Sequence, residues 1–219
     1  NFKIGNNCVG ESSKSLIIAE ISANHNNNFK TTKKLIRSAK KSGADVIKIQ
    51  TYTADTLTIK SNKKDFKIKK KNPWSKSKYL WNLYKKAETS KELTKKIFQY
   101  SRSIGIEIFS SPFDIGAVDF LEKIKCPAYK IASPEITHVP LIERIAKTKK
   151  PIIISTGMAN LEEIETTVKT AKKNGAKDIT LLYCVSNYPS SLEDFNLNNV
   201  KILKNKFKCK VVRLLMVKI

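Results

Sequence analysis

Cysteine, arginine, histidine and acid are all scarce in this sequence, and each shortage removes a class of protein. The four cysteines, Cys8, Cys126, Cys184 and Cys209, lie far apart, with no C-x-x-C pair and no histidine at ligand spacing. That excludes a disulfide-built scaffold or a zinc module and leaves ordinary free thiols. Only Arg37, Arg102, Arg144 and Arg213 are arginine, so the formal charge of +23 is almost entirely lysine. Base readout and paired phosphate contacts favour arginine, and these lysines are spread over many segments. The charge therefore describes solvated faces better than a basic nucleic-acid binder, which stays as an alternative. No apolar run approaches the ~20 residues that span a bilayer, and Asn1 to Ser15 lacks a basic-then-apolar leader profile. The expectation is a cytoplasmic protein with no membrane partner and no specific nucleic-acid partner. What is plentiful is apolar content, 41% over 219 residues, enough for the core of one α/β domain.

Short β-branched runs alternate with amphipathic segments, the pattern of βα units around a parallel sheet. Strands are expected at Leu16–Ile21, Asp45–Thr51, Glu107–Ser110, Ala128–Ala132, Ile152–Ser155 and Ile179–Tyr183, with another beginning near Cys209. Helices are expected at Thr31–Ser42, Lys91–Ser103, Ala117–Ile124, Leu141–Lys147, Leu161–Lys173 and Asn198–Asn205. Ser42-Gly43-Ala44-Asp45 and Asn174-Gly175-Ala176 both read as a helix closed by glycine before a strand. About six such units and the start of a seventh strand fit an incomplete (β/α)8 barrel. An open dinucleotide-binding sheet is disfavoured because no Gly-x-Gly-x-x-Gly turn follows the first strand. Residues 1–15 read as a hairpin able to plug the barrel's bottom. The long connection from Tyr52 to Lys91, rich in aromatics, implies an extra helix around Lys78–Lys86, either a lid or a packed insertion.

Polar residues inside buried strands carry the chemistry, because such strands should be almost wholly apolar. Lys48 and Gln50 interrupt Val46–Gln50 at spacing two and so share a face, and Lys130 interrupts Ala128–Ile131. A buried ammonium costs several kcal/mol unless an anion answers it. That anion is either a bound ligand or a structural carboxylate, for which Glu20 and Glu135 are available. Glu20, Ser110-Ser111, Ser133, Glu135, Ser155-Thr156, Ser186 and Tyr188 all fall at or just after strand ends, the mouth where barrel sites are built. Lysines with hydroxyls suit a small phosphate- and carboxylate-bearing substrate, and the carboxylates suit sugar hydroxyls or acid–base steps. The residues alone reach as far as a lyase, aldolase or synthase. The polar loop Asn24–Asn28 suits a sugar, with His25 either a binder or a structural hydrogen-bonder; His138 reads as a capping or surface residue.

In order and spacing, five segments resemble the sialic acid synthase family: Ile18–Asn26, Lys48-Ile49-Gln50-Thr51-Tyr52, Phe109–Asp114, Tyr129–Glu135 and Ile154–Met158. The match runs from about Ile4 to Lys210, and Ser-Ala-Asn-His-Asn with Lys-Ile-Gln-Thr-Tyr is most similar to the pseudaminate branch. Neuraminate and legionaminate synthases are the alternatives. The resemblance implies a (β/α)8 barrel that condenses phosphoenolpyruvate with an acetamido sugar. A divalent manganese or magnesium ion polarises the open-chain aldehyde, C3 of phosphoenolpyruvate attacks it, water adds to the oxocarbenium carbon, and phosphate leaves by C–O cleavage. Carried over by motif, Lys48, Ser111, Lys130, Ser133 and Ser155 hold phosphoenolpyruvate. Glu20 and Glu135 are the catalytic carboxylates, and Gln50, Asn24, His25 and Tyr188 are placed on the sugar.

Two departures follow. Ser186 stands where neuraminate synthases carry asparagine. From Val211 the family's Gly-Leu-Ser-Asp-His-Thr is replaced by Val211–Ile219. Residues 16–210 thus read as the barrel and 211–219 as a divergent tail, an abrupt change expected of a shifted reading frame. On that expectation the metal-binding histidines, the eighth strand and an antifreeze-like domain are missing, the homodimer belongs to the full-length form, and a catalytically dead remnant is a further alternative.

Overall fold

In a computed structural model, the structure describes residues 2–10, 13–69, 74–185 and 193–213. Along the chain come β1 (Phe2–Ile4), β2 (Asn7–Val9), β3 (Ile18–Glu20), α1 (Phe29–Lys41), β4 (Val46–Thr51), α2 (Ala54–Leu57), α3 (Leu80–Ala87) and α4 (Lys91–Ser103). They are followed by β5 (Glu107–Pro112), α5 (Ile115–Lys123), β6 (Tyr129–Ile131), α6 (Val139–Ala146), β7 (Ile152–Ser155), α7 (Leu161–Lys173), β8 (Ile179–Tyr183), α8 (Asn198–Phe207) and β9 (Lys210–Arg213).

Helix ends follow local chemistry. Asn28, Ser90, Asp114 and Asn160 each accept a backbone N–H of the first turn, and Asn160 with Glu163 completes a reciprocal capping box. At the other end, Gly43 donates to Lys40 O while Ala44 donates to Ala39 O, and Gly175 and Ala176 repeat this on Lys172 and Ala171. This paired closure needs a left-handed residue, which glycine supplies at φ 90° and 101°. Three expected starts move earlier for identifiable reasons, α1 to Phe29 because Asn28 caps it. Helix α5 begins at Ile115 because Asp114 caps it, and α6 begins at Val139 because Pro140 sits in the first turn, where no N–H is needed. His138 occupies the N-cap position of α6 but its side chain makes no capping bond and is exposed, so of the two expected roles it takes the surface one.

The chain divides into two compact units. In Leu16–Cys126, β3, β4 and β5 run parallel in chain order, with Glu20 level with Lys48 and Gln50 level with Ser111. Their core is Ile36, Ile47, Ile49, Ile97, Phe98, Ile108 and Leu121, all essentially inaccessible. The connection after β4 folds as α2 and α3 and is held from both sides. Tyr52 meets the rings of Tyr84 and Phe113 edge-on at 6.3 and 5.5 Å, and Ala54 N–H donates to Glu88 Oε2 at 2.7 Å.

The other unit joins residues 1–15 to 127–219. Strands β6, β7, β8 and β9 are parallel in chain order, with Lys130 level with Ile153, Ser155 with Leu182, and Thr180 with Lys210. The antiparallel pair β1–β2 buries Phe2 and Ile4, and Lys210 Nζ lies 4.3 Å from the Phe2 ring centroid, at the start of β9. Strand β9 runs on past residue 210, so residues 211–213, expected to begin a tail, belong to the sheet. Among the described residues no helix is long and apolar enough to cross a membrane.

Candidate functional site

In the Leu16–Cys126 unit, strand alternation puts Glu20, Lys48, Gln50 and Ser111 on one face, as the spacing-two argument requires. Lys48 is 9% exposed; it pairs with the Glu20 carboxylate and donates to Ser111 Oγ at 3.3 Å. The carboxylate answering Lys48 is therefore partly structural. Glu20 is itself held by the N–H and hydroxyl of Ser22, at 3.0 and 2.9 Å to Oε1. Ser110 turns the other way, hydrogen-bonding Thr51 at 2.7 Å and donating to Ile49 O, so it serves the strand and not the mouth.

In the unit formed by residues 1–15 and 127–219, Lys130 is likewise 9% exposed and donates to Ser155 Oγ at 2.7 Å. An ammonium has donors only, so both serine oxygens must accept. Each serine's own hydroxyl hydrogen is therefore directed away from its lysine. Ser133 begins the short 3-10 turn Ser133–Thr137, with its Oγ 3.5 Å from Cys184 Sγ. Glu135 lies on the same turn. Its Oε2 is buried without a hydrogen-bond partner among the described residues, and burial pushes its carboxyl above the usual range against the opposing pull of Lys130. A carboxyl that holds its proton longer suits a general acid.

The sugar-side expectations divide. Gln50 is half-buried beside Ser111, and Asn24 is exposed on the loop after β3. His25 is carried inward and is 1% exposed, its Nδ1 accepting from Asn27 N–H at 3.0 Å and its Nε2 3.2 Å from Thr89 Oγ1. Ser186 and Tyr188 lie outside the described residues. Among the described residues no group of three or more His, Cys, Asp or Glu lies together as a metal's ligands would. Ser22 and Thr89 went unnoticed in the sequence, because nothing local marks a serine as the partner of Glu20 or a threonine 64 residues away as the partner of His25.

Comparison with known proteins gives a consistent result. Residues 35–212 match the model of the NeuB family. A pseudaminic acid synthase of Campylobacter jejuni is 44% identical over 210 residues, 96% of this chain and 60% of the relative. An N,N'-diacetyllegionaminic acid synthase of Legionella pneumophila is 39% identical, over 92% of this chain and 57% of the relative. The crystal structure of an N-acetylneuraminic acid synthetase from Leptospira borgpetersenii superposes with a TM-score of 0.83 at 30% identity, covering 97% of this chain and 68% of that one. That likeness bears out the expected incomplete (β/α)8 class with its N-terminal hairpin. The chain spans 57–60% of the length of the two curated relatives just described.

Proposed function

The chain belongs to the NeuB family, and on that premise we propose that it condenses phosphoenolpyruvate with an acetamido sugar to give a nine-carbon sialic-type acid and free phosphate, pseudaminate being the first choice. The observation that carries this reading is a nearly buried strand lysine in each unit, Lys48 and Lys130, each bonded to a serine at a strand end. In this reading the two lysines offset the charge of phosphoenolpyruvate, and Ser111, Ser155 and Ser133 turn their hydroxyl hydrogens to its oxygens. Glu135, kept protonated longer by burial, supplies a proton to oxygen, while Glu20, Gln50, Asn24 and Tyr188 face the sugar or the attacking water. The manganese or magnesium ion implied by the resemblance finds no ligand group among the described residues.

Legionaminate synthesis is the second reading, supported by the relative of 39% identity. No observation favours a dead remnant. The test is phosphate release from phosphoenolpyruvate by the full-length protein with a panel of acetamido sugars. Release that depends on one of these sugars supports the reading and names the substrate; release independent of every sugar contradicts it.

A further inference from the structure

The loop between β3 and α1 turns through three left-handed residues. Ser22, Asn26 and Asn27 take φ of 45°, 47° and 55°, which costs Ser22 about 1 kcal/mol or more and the two asparagines less, because their short polar side chains tolerate that region. Asn24 and Asn26 to Asn28 are exposed, yet the histidine among them is almost fully buried. Its two nitrogens have fixed and opposite duties. Nδ1 accepts from Asn27 N–H, so Nε2 carries the proton and donates to Thr89 Oγ1, in the turn between α3 and α4. Asn27 makes a second tie to the same segment, its side-chain amide donating to Lys86 O at 3.3 Å. The other end of the loop holds Glu20 through Ser22, and Glu20 holds Lys48.

We propose that His25 is a positioning residue that never touches substrate: by bridging Asn27 and Thr89 it pins the Ser22–Asn28 loop to the α3–α4 turn and thereby sets Asn24 and Glu20 for the sugar. The proposal rests on the functional reading above and replaces the placement of His25 on the sugar that the resemblance implied. A histidine with both nitrogens engaged inside the protein has no polar atom left for a ligand, whereas a loop held in three left-handed residues needs an outside anchor to persist.

The test uses His25→Asn and Thr89→Val. Asparagine keeps an oxygen able to accept from the N–H two residues on, as in an Asx turn, but is too short for Thr89. Valine keeps the shape of threonine and removes the hydroxyl. Both variants, and the pair together, are followed by amide hydrogen exchange of residues 22–28 and by steady-state kinetics of the full-length protein. The expected result is faster exchange in the loop and a sugar KM raised roughly tenfold in each single variant, the loss of one positioning hydrogen bond. The double variant should be no worse than either single one, and the KM for phosphoenolpyruvate should stay within about twofold, a split that general loss of packing does not give. A raised sugar KM in His25→Asn alone, with Thr89→Val normal, would mean direct contact with sugar and overturn the proposal. Unchanged exchange in both variants would overturn it too. Should the wild-type protein show no sugar-dependent phosphate release, the functional reading fails while loop exchange still decides whether His25 is the pin.

Discussion

Buried charge without a full complement is expensive, and Glu135 shows how that expense becomes measurable. Burial raises its pKa above 4.5 because the charged form has lost water, with Lys130 offsetting part of the loss. A raised carboxyl binds more protons folded than unfolded between about pH 4.5 and the higher folded value, so its contribution to stability is complete below 4.5 and is lost as pH rises through that value. Glu135→Gln is neutral at every pH. It should melt higher than wild type at pH 7, and the gap should close below pH 4.5. A lower melting temperature at pH 7 would mean that the carboxylate is held by partners the geometry does not show. Much of this residue-scale picture is legible in the sequence. Lys48, Gln50 and Lys130 announce themselves as polar breaks in apolar strands, and the structure places all three on strands as expected. Partnership is not legible: that Glu20 pairs with Lys48, or that Ser110 turns away while Ser111 does not, depends on register between residues 28 to 63 positions apart.

Elements were legible where the chain marks its own boundaries. Helices α4 and α7 begin and end where the capping residues Ser90 and Asn160 and the closers after Ser103 and Lys173 put them. Helix α5 uses the same closure without glycine. Lys125 stands at φ 58° and donates to Glu122 O, while Cys126 donates to Leu121 O. Lys125→Gly should relieve that strain and stabilise the protein by about 0.5–1 kcal/mol, the left-handed penalty less the extra entropy of glycine. Urea denaturation reads this as a raised midpoint at constant slope, and an unchanged midpoint would remove the argument. The α2–α3 insertion was legible as an element but not in its anchoring. The sequence leaves lid and packed insertion open, whereas the structure ties its base through Tyr52, buried between Tyr84 and Phe113. Burial and the neighbouring Tyr84 and Glu88 push the Tyr52 phenol up to about 12, so it stays protonated throughout the working range. Tyr52→Ala should cost about 3 kcal/mol, as large aromatic truncations do, and Tyr52→Phe far less. Equal costs would shift the anchor from the ring to the hydroxyl.

At the scale of the whole molecule the outstanding property is charge, +23 with only four arginines. Carried by solvated lysines, it should bind duplex DNA weakly, without sequence preference, and release it steeply between about 50 and 200 mM salt. Sequence-specific binding that survives at the higher salt would favour a nucleic-acid function. The architecture was readable from the alternation of short strands and helices, since a parallel sheet needs a crossover of that length between neighbours. The product of the proposed reaction is not readable at this scale, because in that reading substrate choice lies in a few polar side chains, of which Ser186 and Tyr188 fall outside the described residues. Phosphoenolpyruvate is the proposed answer to the strand lysines, and the direct measurement is its binding to the full-length protein by calorimetric titration, with wild type, Lys48→Ala, Lys130→Ala and Lys69→Ala. Removing a charged partner from a dry anion site costs about 2–5 kcal/mol, so Lys48→Ala and Lys130→Ala should each lose roughly 30-fold or more in affinity while keeping a cooperative melt. Lys69→Ala, in the basic stretch before α3, should bind like wild type. Wild-type affinity in Lys130→Ala or Lys48→Ala would contradict the account.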